Sequence, residues 1–397
     1  MGTDRDDRDF DLVLFGATGF TGGLTADYLA RNAPTGCRWA LAGRNRAKLE
    51  QVRARLAGVD PALTYLPLLH ADAEDRASLR GLAGQTRVLV TTVGPYIAYG
   101  EPLVAACAEA GTDYVDLTGE PEFVDRMYLA HHDRAVRTGA RIVHACGFDS
   151  VPYDLGALYT VQLLPEGVPI RMRGIIRASG SPSGGTFHSA MTAFSRARQM
   201  KQAKAERRRR EARPAGRRVR TVAKRPHRDP VTGFWLVPLP TIDPIIVKRS
   251  AAALDRYGPD FEYAHYAGMR KLPTVLGSVA GMGALALAAQ VPPVRQQLLK
   301  RMPQGEGPSE ERRARSRFTM RFVAEGGGEQ VRTKVSGGDP GYTETAKMLA
   351  ESALCLAYDD NPPSAGQVTT AVAMGRNLTD RLVAAGITFA RDGATGS

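Results

Sequence analysis

A glycine-rich segment near the N-terminus constrains the fold of this chain more than any other feature. The segment comprises Gly16, Ala17, Thr18, Gly19, Phe20, Thr21 and Gly22. It follows an apolar run at residues 10–15 and precedes a helical pattern at residues 24–31. A strand, a glycine turn and a helix in this order place a dinucleotide pyrophosphate at the positive end of the helix. We therefore predict that these seven residues bind such a cofactor.

The second predicted strand covers residues 38–42. The side chain that follows its end indicates which dinucleotide is bound. An NAD site usually has an acid there, which accepts a hydrogen bond from the ribose 2′-hydroxyl. This chain has Arg44 instead, and a guanidinium group pairs with a phosphate through two hydrogen bonds. Lys48 adds a cation on the opening turn of the next helix. The pattern favours NADP(H) over NAD, whereas Arg44 alone would also suit a solvated loop.

Short apolar runs alternate with helical patterns over the first 150 residues. Strands are predicted at residues 11–15, 38–42, 64–69, 88–93, 114–117 and 141–145. Helices are predicted at residues 24–31, 46–56, 76–83, 102–110 and 121–138. This alternation predicts an α/β fold with a parallel sheet that has helices on both faces. Ligands bind such a sheet at the carboxyl ends of its strands.

Three further points lie at those carboxyl ends. Asp72 follows the third strand, where it would accept a hydrogen bond from the adenine amine or cap the next helix. Val93 and Gly94 end the fourth strand, and Gly94 lets the backbone pass close to the nicotinamide ribose. Asp149 follows the sixth strand, where it would form a wall of the active site or cap the helix that begins near Pro152.

The pattern changes after residue 151. Alternating runs at residues 169–178 and 317–335 are typical of half-exposed strands, and the glycines at 326–328 divide the second run into a hairpin. A glycine and serine turn is predicted at residues 179–186. An inserted α+β domain with an antiparallel sheet is the simplest interpretation. We predict a cofactor domain at residues 1–150, an inserted substrate or dimerisation domain at 151–340, and C-terminal helices at 341–397 that return to the first domain.

The positive charge of the chain is concentrated in one segment. Residues 196–225 contain 14 Lys and Arg against two acids, which equals the net charge of +12 for all 397 residues. The segment has no aromatic residue on which a base would stack, so no nucleic-acid binding is predicted. It is either a solvated helix and loop, or a docking surface for an acidic protein or an anionic membrane.

Residues 274–291 form an uncharged, apolar and glycine-rich segment. Its 18 residues are marginal for a membrane span. The alternatives are contact with a lipid surface or an acyl chain, and a buried helix or one that forms a homodimer. Gly277 and Gly281 have the spacing of a helix-packing motif.

Cysteine usage and composition set outer limits on the function. The four cysteines, Cys37, Cys107, Cys146 and Cys355, are far apart and lack the spacing of a zinc site or a disulfide framework. No metal is therefore predicted. The polar N-terminus has no apolar core of a signal peptide, so a cytoplasmic location is expected, with peripheral membrane contact as an option.

Hydride transfer requires a positioned acceptor and, in many enzymes, a proton donor. No tyrosine of this chain has a lysine four residues later, which argues against the short-chain dehydrogenase class. Tyr96, just past the fourth strand, and Asp149 are the candidate catalytic residues. Other donors near the predicted crevice are Tyr99, Tyr153 and His188. A structural role is the alternative for each of them.

Six segments occur in an order that resembles a known family. They are residues 16–22, Ala42-Gly43-Arg44, Val93-Gly94-Pro95-Tyr96, the Gly147-Phe148-Asp149-Ser150-Val151-Pro152 segment, Gly184-Gly185-Thr186, and residues 341–354. Together they resemble the saccharopine-dehydrogenase-like oxidoreductases, and are most similar to the bacterial trans-acting enoyl reductases. The resemblance implies a Rossmann-type NADP domain, an inserted α/β domain and C-terminal helices that return to the first. It implies cofactor contacts at the glycine segment and Arg44, and it carries no catalytic residue.

The resemblance implies NADPH-dependent reduction of a C=C bond in a polyketide or fatty acyl chain held by a carrier protein. A basic docking surface at residues 196–225 and an apolar surface at 274–291 would suit such a substrate. A saccharopine-like imine or amino-acid reductase is the second hypothesis, and Arg171, Arg173 and Arg177 would then bind a carboxylate. A non-catalytic, lipid-associated protein that retains the cofactor fold is the third.

Overall fold

The computed structural model describes residues 7–179, 184–301 and 307–393. Within these ranges the chain forms two sheets and sixteen α-helices. The strands are β1 (Phe10–Phe15), β2 (Trp39–Gly43), β3 (Leu68–His70), β4 (Thr86–Thr91), β5 (Asp113–Val115), β6 (Arg141–Val143), β7 (Ile170–Ala178), β8 (Arg218–Val222), β9 (His227–Arg228), β10 (Trp235–Pro238), β11 (Asp260–Met269), β12 (Phe318–Gly326), β13 (Glu329–Gly337), β14 (Gly366–Val368) and β15 (Thr388–Arg391). The helices are α1 (Phe20–Asn32), α2 (Arg46–Ala57), α3 (Arg76–Gln85), α4 (Tyr96–Tyr99), α5 (Glu101–Ala110), α6 (Pro121–Thr138), α7 (Val151–Val161), α8 (Gly184–Ser195), α9 (Ala197–Arg210), α10 (Asp243–Ala253), α11 (Leu272–Ala288), α12 (Pro292–Arg301), α13 (Glu310–Arg315), α14 (Thr343–Tyr358), α15 (Thr370–Ala373) and α16 (Gly375–Ala384).

The first sheet confirms the predicted parallel α/β architecture. Its seven strands lie in the order β14-β6-β5-β4-β1-β2-β3, and every pairing is parallel. The order from β3 to β6 is the arrangement of a doubly wound dinucleotide-binding sheet. β1 is apolar from Leu12 to Phe15 because helices cover both faces of the sheet, and Leu12, Val13 and Leu14 are fully buried. The carboxyl ends of these strands meet at one edge.

The start of the third predicted strand, residues 64–69, is wrong. Residues Pro61–Tyr65 form a 3-10 turn instead, and the carboxylate of Asp60 accepts a hydrogen bond from the amide of Ala62. Proline in the first turn suits such a helical start, because its missing N–H needs no partner there. β3 consequently has only three residues.

The tail of the chain joins both sheets. α14 packs against α1 and β4, and the hydroxyl of Tyr28 donates a hydrogen bond to Glu351 across that contact. β14 extends the first sheet beside β6, whereas β15 pairs with β13 in the second sheet. The sequence predicts helices in this region and misses both short strands. The domain limits at residues 150 and 340 stay a prediction.

The second sheet is mixed, so the expected antiparallel sheet is corrected. Its order is β15-β13-β12-β7-β11-β10-β9, and β8 also pairs with β11. The β7–β11 and β8–β11 pairings are parallel, while the other pairings are antiparallel. A parallel pairing requires a long crossover connection. The segment between β7 and β11 contains three helices and supplies that connection.

The predicted hairpin is confirmed by β12 and β13. Their register places Gly326 opposite Glu329, with Gly327 and Gly328 as the two turn residues. Both have a positive φ, of 61° and 83°, which a two-residue hairpin turn of the favoured twist requires. Of the turn predicted at residues 179–186, positions 180–183 lie outside the described residues, and α8 begins at Gly184.

The apolar segment predicted at residues 274–291 forms most of α11, on the surface of the molecule. Val275 is the only buried residue of this helix. In the described part of the chain, no single helix is both long and apolar enough to cross a membrane. The pair α11 and α12, bent by 118° at residues 289–291, meets that test by length and composition.

Candidate functional site

The glycine segment forms a tight turn between β1 and α1. Gly16 has a φ of +101°, a conformation that L side chains rarely adopt. A Cβ on Gly22 would lie 2.1 Å from the carbonyl oxygen of Gly16. The helix therefore packs too closely on the turn for residue 22 to carry a side chain. The hydroxyl of Thr92 donates a 3.1 Å hydrogen bond to the same oxygen and ties the turn to the end of β4.

The N-terminus of α1 has no side-chain cap. Its N-cap residue is Gly19, whose amide donates to the carbonyl of Gly16. The amides of the first helical turn have no acceptor within the helix, and they carry the positive end of its dipole. This end of the helix therefore suits an anion such as a pyrophosphate.

A cavity of about 760 Å³ lies at the carboxyl edge of the first sheet. The predicted residues that line it are Gly16, Thr18, Gly19, Phe20, Thr21, Gly22, Arg44, Asp72, Val93, Gly94, Tyr96 and Asp149. Two predicted residues do not line it. Ala17 is buried in the core beneath the turn, and Lys48 is an exposed residue of α2 whose amide donates to Asn45. The cavity thus brings together most of the predicted site.

Arg44 is exposed at the cavity wall and has no carboxylate partner among the described residues. Its neighbour Arg46 differs, since its guanidinium pairs with Glu50 and donates to the carbonyl of Leu68. Arg44 is also the only arginine among the described residues that line the cavity. A free guanidinium at the end of β2 fits the 2′-phosphate of NADP(H).

Asp72 also lies in the cavity wall, and it is not the cap of α3. The N-cap of that helix is Asp75, whose carboxylate accepts a hydrogen bond from the amide of Ala77. One carboxylate oxygen of Asp72 accepts from the amide of Glu74. The other oxygen has no hydrogen-bond partner among the described residues, so Asp72 retains an acceptor for a ligand.

The hydroxyl of Tyr96 is already engaged within the protein. It donates to the carbonyl of Thr91 and accepts from the amide of Leu117, each over 3.1 Å. The side chain is buried, and burial raises the pKa of Tyr96 well above its usual value. These contacts favour a structural role, because proton donation to a ligand would break the hydrogen bond to Thr91.

The carboxyl group of Asp149 has no hydrogen-bond partner among the described residues. It does not cap α7, whose N-cap residue is Ser150. Burial raises the pKa of Asp149 from its usual value of 3.8 to about 6. A carboxyl group of this kind holds its proton in a larger fraction of molecules near neutral pH, as a general acid requires.

A second carboxyl group lies behind Asp149. Asp243, at the start of α10, is 3% exposed, and its Oδ1 atom lies 3.5 Å from the hydroxyl of Ser150. Its Oδ2 atom lies 3.7 Å from Nε2 of His265. Burial and the nearby charge of Asp149 raise the pKa of Asp243 to about 7. Nothing in the sequence pattern indicates Asp243, since it is 94 positions away from Asp149 in the chain.

The loop that carries Asp149 is held in an unusual conformation. Ser150 has a φ of 149°, and Ala145 has a φ of 59°. The amide of Ala145 donates to the carboxylate of Asp116, while the amide of Phe148 donates to the hydroxyl of Thr345 in α14. Strained backbone persists where surrounding contacts over-determine it, and such positions cluster at functional sites.

Several polar side chains of the cavity were not predicted, among them Glu120 and Ser189. Glu120, which follows β5, accepts hydrogen bonds from the amides of Tyr96 and Ile97 at the start of α4. Ser189 of α8 is a hydrogen-bond partner of Glu120. The rule that singled out Asp72, a polar residue just past a strand, would have found Glu120. No comparable signal marks Ser189, which reaches the cavity through tertiary packing.

The remaining candidate donors and the arginines of the rival hypothesis are placed differently. Of the donors, Tyr99 lines the cavity, whereas Tyr153 is buried in the core and His188 does not line it. Arg171, Arg173 and Arg177 do not line it either. Arg173 pairs with Asp229 and Glu325, and Arg177 lies over the ring of Phe234. Arg171 is exposed on β7.

The basic segment at residues 196–225 is divided between internal contacts and solvent. Arg207 is buried, stacks on the ring of Tyr128 and pairs with Asp125 and Glu211. Arg196, Arg210, Arg217 and Arg220 also pair with acids. On α9, Arg198, Lys201, Arg208 and Arg209 are exposed. Helical spacing places Arg198 and Arg209 about opposite Arg207, with Lys201 and Arg208 on one flank. We call these four residues the basic face.

Comparison with known proteins identifies the family of the chain. The family model of the saccharopine dehydrogenase NADP binding domain matches residues 12–143. The chain is 39% identical over 414 aligned residues, 96% of this chain and 97% of the relative, to a Mycobacterium tuberculosis protein named provisionally as a trans-acting enoyl reductase. It is 36% identical over 419 residues, with the same coverage, to a trans-acting enoyl reductase of Mycobacterium bovis.

A solved structure shares the fold. The structure of saccharopine dehydrogenase (L-Glu forming) from Saccharomyces cerevisiae superposes with a TM-score of 0.56 at 12% identity, and the match covers 96% of this chain and 99% of that one. The sequence relatives span nearly the full length of the chain, and the matched domain includes the glycine turn and Arg44. The chain therefore belongs to the saccharopine-dehydrogenase-like family of NADP-dependent oxidoreductases.

Proposed function

We propose that this oxidoreductase is a trans-acting enoyl reductase, which reduces a C=C bond of an acyl thioester held by a separate carrier protein. The observation that carries the proposal is the free carboxyl group of Asp149, in the same cavity as the glycine turn and Gly94. The names of the full-length relatives support the same reaction class.

Residues of the first sheet would hold NADP(H) in an extended arrangement across the cavity. The uncapped first turn of α1 would bind the pyrophosphate through its amides. Arg44 would pair with the 2′-phosphate, and Asp72 would accept a hydrogen bond from the adenine amine. Val93 and Gly94 would lie along the nicotinamide ribose, where Gly94 presents no side chain.

When bound, the reduced cofactor supplies a hydride to the β-carbon of the unsaturated thioester. The C=C bond is reduced by this electron pair, and the α-carbon then needs one proton. Asp149 in its protonated form would donate that proton to the α-carbon and become a carboxylate. Solvent restores the proton after product release, so each cycle consumes one hydride and one proton.

The surroundings of Asp149 support this role as an acid. Burial raises the pKa of Asp149, and burial together with the charge of Asp149 raises the pKa of Asp243, so each carboxyl group keeps its proton at a pH where an exposed aspartate has lost it. The hydrogen bonds of Ala145 and Phe148 fix the loop. A fixed donor is more effective than a mobile one, because the entropy of positioning is already lost.

The basic face of α9 supports docking of an acidic carrier protein. α9 directly follows α8, and Gly185, Thr186 and Ser189 of α8 line the cavity. The four cations of the basic face have no carboxylate partner among the described residues, so their charge is available to a partner. A carrier bound there would lie next to the cavity that its acyl chain must enter.

A reducing, cytoplasmic location fits this proposal. The four cysteines are free, and three of them are buried. An intracellular enzyme of this size commonly keeps its thiols reduced.

The direct test is oxidation of NADPH by the purified chain with three substrates in turn. They are an enoyl thioester on an acyl carrier protein, the same acyl group on a small thiol, and a keto acid with an amino acid. We expect turnover with both thioesters and a higher kcat/KM for the carrier-bound one. Turnover of the keto acid mixture alone would favour the imine reductase, and NADPH binding without any turnover would favour the non-catalytic alternative.

The imine or amino-acid reductase is less well supported by the geometry. It requires a cation for the substrate carboxylate beside the nicotinamide. Arg44 is the only arginine that lines the described cavity, and it lies at the far end of the proposed cofactor site. The three arginines of β7 are outside the cavity wall.

A further inference from the structure

The helix α11 exposes an apolar surface that the rest of the described chain does not cover. Its exposed large side chains are Leu272, Leu276, Val279, Met282 and Leu287, and Val291 and Val294 continue the surface to the start of α12. Leu276 is 64% exposed and Leu287 is 73% exposed. A Cβ at Gly277, Gly281 or Gly283 would meet no atom within 4 Å. We call α11 together with α12 the apolar hairpin.

The charges within the apolar hairpin and at its ends are all positive. The sequence has no Asp or Glu from residue 263 to residue 305. Five cations lie at the ends and bend of the hairpin, and none of them pairs with a carboxylate among the described residues. They are Arg270, Lys271, Arg295, Lys300 and Arg301. This combination of apolar surface and unpaired cations matches an anionic lipid surface, where acyl chains and acidic headgroups lie side by side.

We propose that the apolar hairpin binds the surface of an anionic membrane, with α11 lying in the headgroup region. α11 has 17 residues and rises about 1.5 Å per residue, so it is shorter than the roughly 30 Å hydrocarbon layer. The bend of 118° also turns α12 away from the axis of α11. Both features suit a helix pair that lies on the surface.

Attachment of the hairpin to a membrane would also determine where the cavity lies. α8 packs against both α11 and α12. At that contact the side-chain amide of Gln290 donates a hydrogen bond to the backbone carbonyl of Phe194. α8 also contributes Gly185, Thr186 and Ser189 to the cavity wall. Membrane attachment would therefore hold the cavity close to the lipid surface. This inference does not depend on the proposed enoyl reduction.

The test is flotation of the full chain with two kinds of vesicle, phosphatidylcholine alone and an equimolar mixture with phosphatidylglycerol. Leu276→Glu with Leu287→Glu changes two exposed side chains of the hairpin. Tyr65→Glu with Val383→Glu is the matched control, because these residues are exposed apolar side chains elsewhere. Circular dichroism and NADPH affinity check that each variant is folded.

We expect the unaltered chain and the control to float with the anionic vesicles. The hairpin variant should lose at least about tenfold in partition coefficient, since two leucines no longer reach the acyl region. Lys271→Gln with Lys300→Gln and Arg301→Gln should weaken binding to the anionic vesicles on the order of a hundredfold.

Two results would overturn the proposal. One is equal flotation of the hairpin variant and the unaltered chain. The other is an unaltered chain that floats with neither vesicle and is dimeric by light scattering, with the hairpin variant monomeric. In that case a second copy of the chain covers α11.

Discussion

A Cβ atom on Gly22 would lie 2.1 Å from the carbonyl oxygen of Gly16 and 2.7 Å from the hydroxyl of Thr92. The first turn of α1 thus rests on the backbone of the strand that it follows. This contact fixes where the amides at the helix N-terminus point, and it depends on the absence of a single methyl group.

Gly22→Ala should therefore disrupt the turn. The nearest atom belongs to the backbone and cannot rotate away, so we expect a loss of stability of about 1–3 kcal/mol together with weaker NADPH binding. Gly23→Ala is the control in the same helix, because its Cβ would meet no atom closer than 3.4 Å. Thermal unfolding and calorimetric titration with NADPH measure both effects. Similar values for the two variants would contradict the packing argument.

Arg44→Ala should change the choice of cofactor. Loss of charged hydrogen bonds to the 2′-phosphate should raise the Kd for NADPH about 10- to 100-fold, while the Kd for NADH stays the same. Arg46→Ala is the matched control, since that guanidinium already pairs with Glu50. An unchanged ratio of the two Kd values in Arg44→Ala would exclude this arginine as the selector.

Asp149→Asn should remove the proton donor and spare cofactor binding. We expect kcat to fall by about 100-fold or more, with the Kd for NADPH unchanged. In the unaltered enzyme, kcat/KM should fall as the pH rises through about 6, because only the protonated carboxyl group donates. Glu74→Gln, at a carboxylate of the cavity wall that is exposed to solvent, should keep both kcat and this pH profile. A full rate in Asp149→Asn would remove Asp149 from the mechanism.

The buried carboxyl pair should also appear in the pH dependence of stability. Asp149 and Asp243 have pKa values of about 6 and about 7 in the folded chain, both raised from 3.8. The folded chain therefore holds more protons than the unfolded chain between about pH 4 and pH 7, so these groups lower stability as the pH rises through that window. Asp243→Asn should therefore reduce the loss of stability that occurs as the pH rises.

The measurement is the free energy of unfolding of Asp243→Asn relative to the unaltered chain, by urea denaturation at pH 5 and pH 8. We expect the difference to favour the variant at pH 8 by up to about 3 kcal/mol more than at pH 5. Burial lowers the pKa of His265 to about 3, which makes stability rise with pH. His265 is present in both the variant and the unaltered chain, so the difference between their free energies of unfolding largely cancels this effect. An equal difference at both pH values would count against the paired carboxyls.

The basic face should be needed for a carrier-bound substrate only. Arg198→Glu with Lys201→Glu and Arg209→Glu should lower kcat/KM about tenfold or more for the carrier-bound thioester and leave the small thioester unaffected. Reversal of Arg31, Arg80 and Arg137, which are exposed on other helices, is the control. Arg207 is excluded from the design because its loss would leave Asp125 with fewer partners in the core. Equal loss with both substrates would contradict docking.

Local patterns in the chain were enough to predict much of the fold. The glycine turn, the alternation of strands and helices, and the hairpin at residues 318–337 each depend on residues close together in sequence. The short strands β14 and β15 could not be predicted in this way. Each has only three or four residues and is stabilised by a partner strand far away in the chain.

In the candidate site, too, local patterns predicted some features, and others depend on distant parts of the chain. Arg44 and Asp72 could be placed from their positions after strands, and both line the cavity. Tyr96 also lines it, but its hydroxyl has partners at Thr91 and Leu117 that no local pattern reveals. Lys48 was expected beside the cofactor, yet it is an exposed residue of α2 that does not line the cavity.

The sequence by itself determined the turn that suits a dinucleotide, because a strand, three glycines and a helix suffice to build that geometry. Only the tertiary structure decided which carboxyl groups share a buried environment. Asp149 and Asp243 lie on segments 94 positions apart. Burial raises the pKa of Asp149, and burial together with the charge of Asp149 raises the pKa of Asp243 once the fold brings them together. Burial and repulsion depend on distances in space, which the spacing of residues along a chain does not contain.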